Sequence, residues 1–196
     1  MDQLVDELMG RIFIEIEASG RHVHLTEEAS EYFFGHKLTP KRPLSQPGQF
    51  LCQERISIVS EKGRFDRVAV LGPERKACQV ELSLTDCISL GLSAPVRQSG
   101  NLQGASDITL EANGKRLSLE KSVIVAQRHI HMTPQDAKIK NLHDGQRVRL
   151  RALTARPTIF EDVIVRVSPN FQTYAHLDYD EANACGYQKG DLGLIV

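Results

Sequence analysis

Residues 20–29 read "GRHVHLTEEA" and residues 127–137 read "QRHIHMTPQDA". The two stretches write one pattern twice: Arg21/Arg128, His22/His129, Val23/Ile130, His24/His131, Leu25/Met132, Thr26/Thr133. An internal repeat constrains a fold more than any single motif, because each copy must then be one version of the same packed unit. The echo extends further along the chain. "RVAVLGPERKACQVELSLTDCISLGL" can be laid over "DVIVRVSPNFQTYAHLDYDEANACGY", so that Pro73 meets Pro169, Asp86 meets Glu181 and Gly91 meets Gly186. With one residue of slack after the proline, Glu81 falls opposite His176.

Between these landmarks run short alternating segments punctuated by Gly, Pro, Asn and Asp, such as "IFIEIEA", "RISIV", "RVRLRAL" and "DVIVRV". Period-two alternation of this kind reads as half-buried strands. "SDITLEANGKRLSLE" reads as a hairpin about Asn113-Gly114. Brief helices are expected after Thr133-Pro134, where threonine caps and proline suits the first turn, and around "DEANACG". The expectation is a mainly β chain of two related barrels with short capping helices. The turn-rich "SAPVRQSGNLQGAS" reads as a connection, and a duplicated β protein can exchange strands between its halves.

Composition narrows the function. Lysine plus arginine number 24 against 25 acids, for a formal charge of −1, so there is no basic field to hold nucleic acid. No apolar run approaches the roughly 18 residues of a membrane span, and "MDQLVDELMG" is acidic without a cleavage pattern, unlike a secretory signal. Cys52, Cys78, Cys87 and Cys185 show neither CxxC spacing nor a dense framework, which fits reduced thiols in a cytoplasmic protein.

Side chains two apart on a strand share a face, so His22 and His24 point together, as do His129 and His131. A lone HxH is an ordinary pair of hydrogen-bonded imidazoles. Two copies in matched context, each followed by a further ligand type, read as His22/His24/Glu81 and His129/His131/His176 around two metal ions. Imidazole with carboxylate suits Zn²⁺, with Mn²⁺, Fe²⁺ and Co²⁺ as alternatives. Three protein ligands leave an open position, as catalytic sites do. Arg75, six residues before Glu81, is the candidate for gripping a phosphate through paired hydrogen bonds. Arg21 and Arg128 alternate to the opposite face and read as structural. Asp178, Asp180 and Glu181 can be ligands themselves but read rather as helix-start acids or partners of ligands, and His36 and His143 as surface or loop residues.

Over nearly its whole length the chain resembles the PduL-type phosphotransacylases, also called phosphate propanoyltransferases. The resemblance rests on "SGRHVHLTEE", "QPGQF", "VLGPERKACQVELSLTD", "PVRQSG", "AQRHIHMTPQDA" and "AHLDYDEANA". It implies transfer of an acyl group between coenzyme A and phosphate, giving an acyl phosphate, with two zinc ions per chain as cofactors. It implies the same six ligands, Arg75 as the phosphate-binding residue, and coenzyme A contacts at Ala18, Ser19, Gly20, Lys62 and Asn183. Where such proteins read "RVLGP" this chain reads "AVLGP", so Ala69 stands for an arginine whose coenzyme A contact is either missing here or supplied by Arg67 or another residue.

The resemblance also implies that residues 11–20 and 127–196 build one barrel and residues 21–126 the other. Leu4, Val5, Leu8, Met9 and Ile12 form an apolar stripe at helical spacing. In family terms a helix over residues 1–10 is an encapsulation peptide that delivers the enzyme to shell proteins of a bacterial microcompartment, the setting of propanediol degradation. A terminal helix docked on its own domain is the competing reading. Three functions remain open at this point: direct attack of phosphate on a thioester, a dimetal thioesterase or phosphoesterase that activates water, and a metal-stabilised module without turnover. Acyl-chain preference and homo-oligomer formation are not legible.

Overall fold

The computed structural model describes residues 9, 10 and 12–196. In chain order the strands are β1 (Phe13–Ser19), β2 (His22–His24), β3 (Pro40–Pro43), β4 (Phe50–Val59), β5 (Arg64–Gly72), β6 (Gln79–Leu82) and β7 (Val96–Arg97). Then come β8 (Ser106–Ala112), β9 (Lys115–Ala126), β10 (His129–Met132), β11 (Arg147–Leu153), β12 (Thr158–Val167), β13 (Tyr174–Asp178) and β14 (Leu192–Ile195). Among the described residues, four short helices interrupt them: α1 (Glu27–Phe34), α2 (Leu84–Leu90), α3 (Pro134–Ile139) and α4 (Tyr179–Cys185). The chain divides into two compact units, one of residues 1–19 with 127–196 and one of residues 20–126. The structure is therefore mainly β, as the alternating pattern requires.

The first unit is a closed barrel of six strands in the order β1-β13-β10-β12-β11-β14, with β14 returning to β1. In the second unit the pairings β2-β5-β4-β8-β9-β6 return to β2 and close a second ring of six, with β3 and β7 added outside it. The rings match strand for strand. Each histidine strand runs parallel to one neighbour, β5 or β12, and antiparallel to the other, β6 or β13. Closure removes the exposed sheet edges that an open sheet would present.

One feature of the closure is not local. β9 completes the ring of β2, yet in the chain it stands directly before β10; β1 completes the ring of β10, yet stands directly before β2. Each repeat has thus lent its leading strand to the other ring. The chain passes between units at Ser19–Gly20 and at Ala126–Gln127. The turn-rich stretch 93–106 is a connection within the second unit, leading from α2 through β7 to the β8–β9 hairpin.

Alternation puts Val23, Ile56, Ile58, Val70, Val80, Leu110 and Val123 into one core and Ile16, Ile130, Leu150, Val163, Val165 and Leu177 into the other. At the expected hairpin Asn113 and Gly114 take φ of 50° and 73°, the left-handed pair such a two-residue turn demands. Both expected helices form, α3 capped by Thr133 and α4 by Asp178. Two helices not expected from the sequence, α1 and α2, stand at the corresponding places of the other repeat, capped by Thr26 and Ser83. Leu4, Val5 and Leu8 of the N-terminal stripe lie outside the described residues, while Met9 and Ile12 are exposed. Among the described residues no helix is long and apolar enough to cross a membrane.

Candidate metal centres

In the second unit the register of β2 against β6 sets His22 across from Glu81, and β2 carries His24 two residues on. All three side chains are buried. The two imidazoles face each other through Nε2 at 3.1 Å, and Glu81 stands 3.6 Å from His22 Nε2 and 3.7 Å from His24 Nε2. Both rings are fixed from behind. His22 Nδ1 donates to the Gly20 carbonyl at 2.8 Å and His24 Nδ1 to the Leu71 carbonyl at 3.2 Å. A neutral imidazole that donates through Nδ1 carries its lone pair on Nε2. Two lone pairs therefore point at one another beside a carboxylate, an arrangement that a shared proton or a cation resolves.

The electrostatics agree. Burial lowers the His22 pKa, but the Glu81 carboxylate and the Gly20 carbonyl outweigh it and raise the value above its ordinary one. Burial, with His22 next to it, holds His24 well below. Burial alone would raise Glu81, yet the two imidazoles and Ser99 keep its carboxyl far down in the ionised form. The donor set also fits a metal ion by size, since tetrahedral bonds of about 2.0–2.1 Å place ligand atoms roughly 3.3 Å apart. The ligand atoms of each candidate triad lie within 4.8 Å of one another.

In the first unit β10 and β13 repeat the arrangement, with His129 across from His176. His129 Nδ1 donates to the Gln127 carbonyl at 2.8 Å, the counterpart of the His22 bond to Gly20. His131 Nδ1 faces His176 Nε2 at 3.3 Å. The far nitrogen of His176, Nδ1, is 3.7 Å from Glu17 Oε2 on the neighbouring strand β1. Six residues singled out from the sequence thus form two triads, one in each unit.

Arg75 is tied to its triad by two routes. Its backbone N–H donates to the Leu25 carbonyl at 2.8 Å, next to His24, and its Nη1 donates to Ser99 Oγ at 3.0 Å. Ser99 in turn donates to Glu81 Oε1 at 2.7 Å, and Gln79 Nε2 reaches the same carboxylate oxygen at 2.5 Å. Arg75 also lines a cavity of about 320 Å³ with Pro47, Gly48, Gln49 and Pro73. Ser99 and Gln79 were not foreseen as site residues. Both stand inside stretches that the family resemblance rests on, but nothing in residue type or spacing assigned them a role.

The arginines of the two RH pairs turn away from the triads. Arg21 holds Asp86 through Nη2 at 2.6 Å and Nε at 3.1 Å, and Arg128 holds Glu181 at 2.7 Å. Asp86 and Glu181 close the capping boxes of α2 and α4, with Ser83 and Asp178 as the caps. Each arginine so fastens a histidine strand to the helix start beside it, the structural role expected of it.

The remaining expected contacts are placed as follows. Ala18 and Ser19 end β1, and Asn183 lies in α4 of the same unit. Gly20 and Lys62 belong to the second unit, where the Lys62 stem covers the cap glycine of α2, Gly91. Ala69 is the cross-strand partner of His22, and Arg67 is an exposed residue of β5 with φ of 56°. His36 and His143 are exposed and belong to neither triad.

Comparison with known proteins bears on what such triads serve. The model of a family described as phosphate propanoyltransferase matches residues 15–188. The phosphate propanoyltransferase of Clostridioides difficile strain 630 is 48% identical over 202 residues, covering 100% of this chain and 97% of that protein. That of Listeria monocytogenes EGD-e is 49% identical, covering 98% and 93%. That of Thermotoga maritima MSB8 is 45% identical, covering 93% and 89%.

Proposed function

Because the chain belongs to the phosphate propanoyltransferase family and is a phosphotransacylase, we propose that its residues carry out a direct attack of phosphate on the thioester of a short-chain acyl-coenzyme A. The products are the acyl phosphate and free coenzyme A, and propanoyl is the acyl group by the name the relatives bear. The observation that supports this reading most is the hydrogen-bonded chain from Arg75 through Ser99 to Glu81, which joins an anion-binding group to a metal-binding triad.

His22, His24 and Glu81 would hold one divalent ion, and His129, His131 and His176 the other. When bound, such an ion, zinc by the family resemblance, would supply Lewis acidity toward the thioester carbonyl or the departing thiolate. Arg75 binds phosphate at its cavity and aims one oxygen at the carbonyl carbon, catalysis by positioning. That oxygen forms the new bond to carbon, the carbon–sulfur bond breaks, and sulfur leaves with its electron pair as thiolate. Ser99 keeps Arg75 and Glu81 in register while this happens. No side-chain nucleophile takes part; the thiol of Cys52, for one, is pushed up to about 12 by burial. Ala18, Ser19, Gly20, Lys62 and Asn183 are assigned to coenzyme A. Residues 1–10 are assigned to packaging in a microcompartment, and deleting residues 2–10 tests this by following recruitment to shells.

The decisive experiment follows thiol release from acyl-coenzyme A with and without phosphate, with the acyl product identified. Release that requires phosphate and yields acyl phosphate supports the proposal. Phosphate-independent release of free acid would assign the same residues to a thioesterase instead.

A further inference from the structure

The two triads differ in where their carboxylate stands. In the second unit Glu81 belongs to the triad itself, and the residue paired with it on β9 is Ile124. In the first unit the triad is all histidine, and the residue paired with His176 on β1 is Glu17. The places are equivalent, because Glu17 and Ile124 each precede the first histidine of their repeat by five residues. The structure brings the Glu17 carboxylate to 3.7 Å from His176 Nδ1, on the side of the ring opposite the Nε2 that faces His131.

From this placement we infer that Glu17 is a positioning residue for the all-histidine centre, its carboxylate favouring the proton on the Nδ1 of His176 that it faces and so leaving Nε2 as the ligand atom. An imidazole is a stronger and better-aimed ligand when its far N–H is held by a carboxylate. His22 and His129 have backbone carbonyls in that role, and His24 has Leu71. The asymmetry has an electrostatic reason. A centre that already contains Glu81 gains little from a second carboxylate, which would repel it, so an apolar residue beside it suffices. A centre of three neutral ligands has no negative group of its own, and Glu17 supplies one from behind. The Glu17 side chain is about one-third exposed, so its charge remains hydrated.

This inference rests on the reading of the triads as metal centres. It is tested on the full-length zinc-loaded chain by competition with a graded chelator, with zinc per chain counted by elemental analysis. His176→Ala identifies which ion belongs to the all-histidine centre. Glu17→Ile, which installs the residue of the other repeat, should release that ion alone with roughly 10–100-fold weaker affinity. Glu17→Gln should fall between, since its amide dipole still faces Nδ1 without the charge; Glu17→Ala replaces the isoleucine variant if that fails to fold. Native affinity in the isoleucine or alanine variant, or equal weakening of both ions, overturns the role of Glu17 and leaves the metal reading standing. A native chain that holds fewer than two ions overturns both.

Discussion

At His22 and His24, two buried rings with lone pairs aimed at each other leave the metal-free protein with a proton to share. Its stability should therefore depend on pH in a definite sense. The folded pair keeps one proton, on His22, where an ordinary imidazole titrates near 6.5. Above that value the unfolded chain holds fewer protons than the folded one, and stability falls as pH rises through the raised His22 value. Below it the unfolded chain takes a proton that His24 refuses, and stability falls again. Glu81 adds a further loss below about 4.3, where only the unfolded carboxyl protonates. Urea midpoints of chelator-treated protein between pH 4 and 9 should pass through a maximum near neutrality, whereas bound zinc, which displaces the shared proton, should abolish the alkaline fall and steepen the acid one. On the proposed phosphate grip, Arg75→Ala removes charge-assisted hydrogen bonds of about 1.5–3 kcal/mol, so kcat/KM for phosphate should fall roughly 10–150-fold. Its metal content should equal that of the unaltered chain. Ser99→Ala leaves Arg75 and Glu81 without their common partner, and steady-state kinetics should show a fall in kcat of about tenfold. The sequence revealed the six triad residues because they are repeated. Ser99, Gln79 and Glu17 have no counterpart of like chemistry in the other repeat, so the duplication does not single them out.

Among the elements, the hairpin at Asn113-Gly114 and the helices α3 and α4 were legible because each depends on a residue with a sharp local preference. Asparagine and glycine tolerate positive φ, and threonine or aspartate caps a first turn. α1 and α2 are not legible in the same way. α2 is only seven residues long, and its apolar Leu84 and Ile88 face outward, which breaks the stripe that would mark a buried face. Its cap was nonetheless visible as Ser83 with Asp86 three residues on. The tie of Arg21 to that cap yields a prediction at this scale. Arg21→Ala strands the buried Asp86 carboxylate at the start of α2 and should cost about 1–3 kcal/mol in urea unfolding. Arg128→Ala should do the same at α4, through Glu181.

At the scale of the whole molecule, the alternating pattern and the duplication together spell out two related barrels, while the joining of residues 11–20 to 127–196 is implied only by the family resemblance. Closure depends on pairing between segments far apart in sequence, and nothing in the local pattern of β1 or β9 says which ring it completes. The fragment of residues 20–126 contains all six strands of its ring and a core of its own. Expressed alone, it should unfold cooperatively, as circular dichroism would show. A fragment of residues 1–119, a single repeat, ends inside β9 and lacks most of the strand that closes that ring. The traded leading strands also make each ring dependent on chain from outside its own repeat. Cut between Leu119 and Glu120, the two halves should each stay unfolded alone and recover structure by circular dichroism only when mixed.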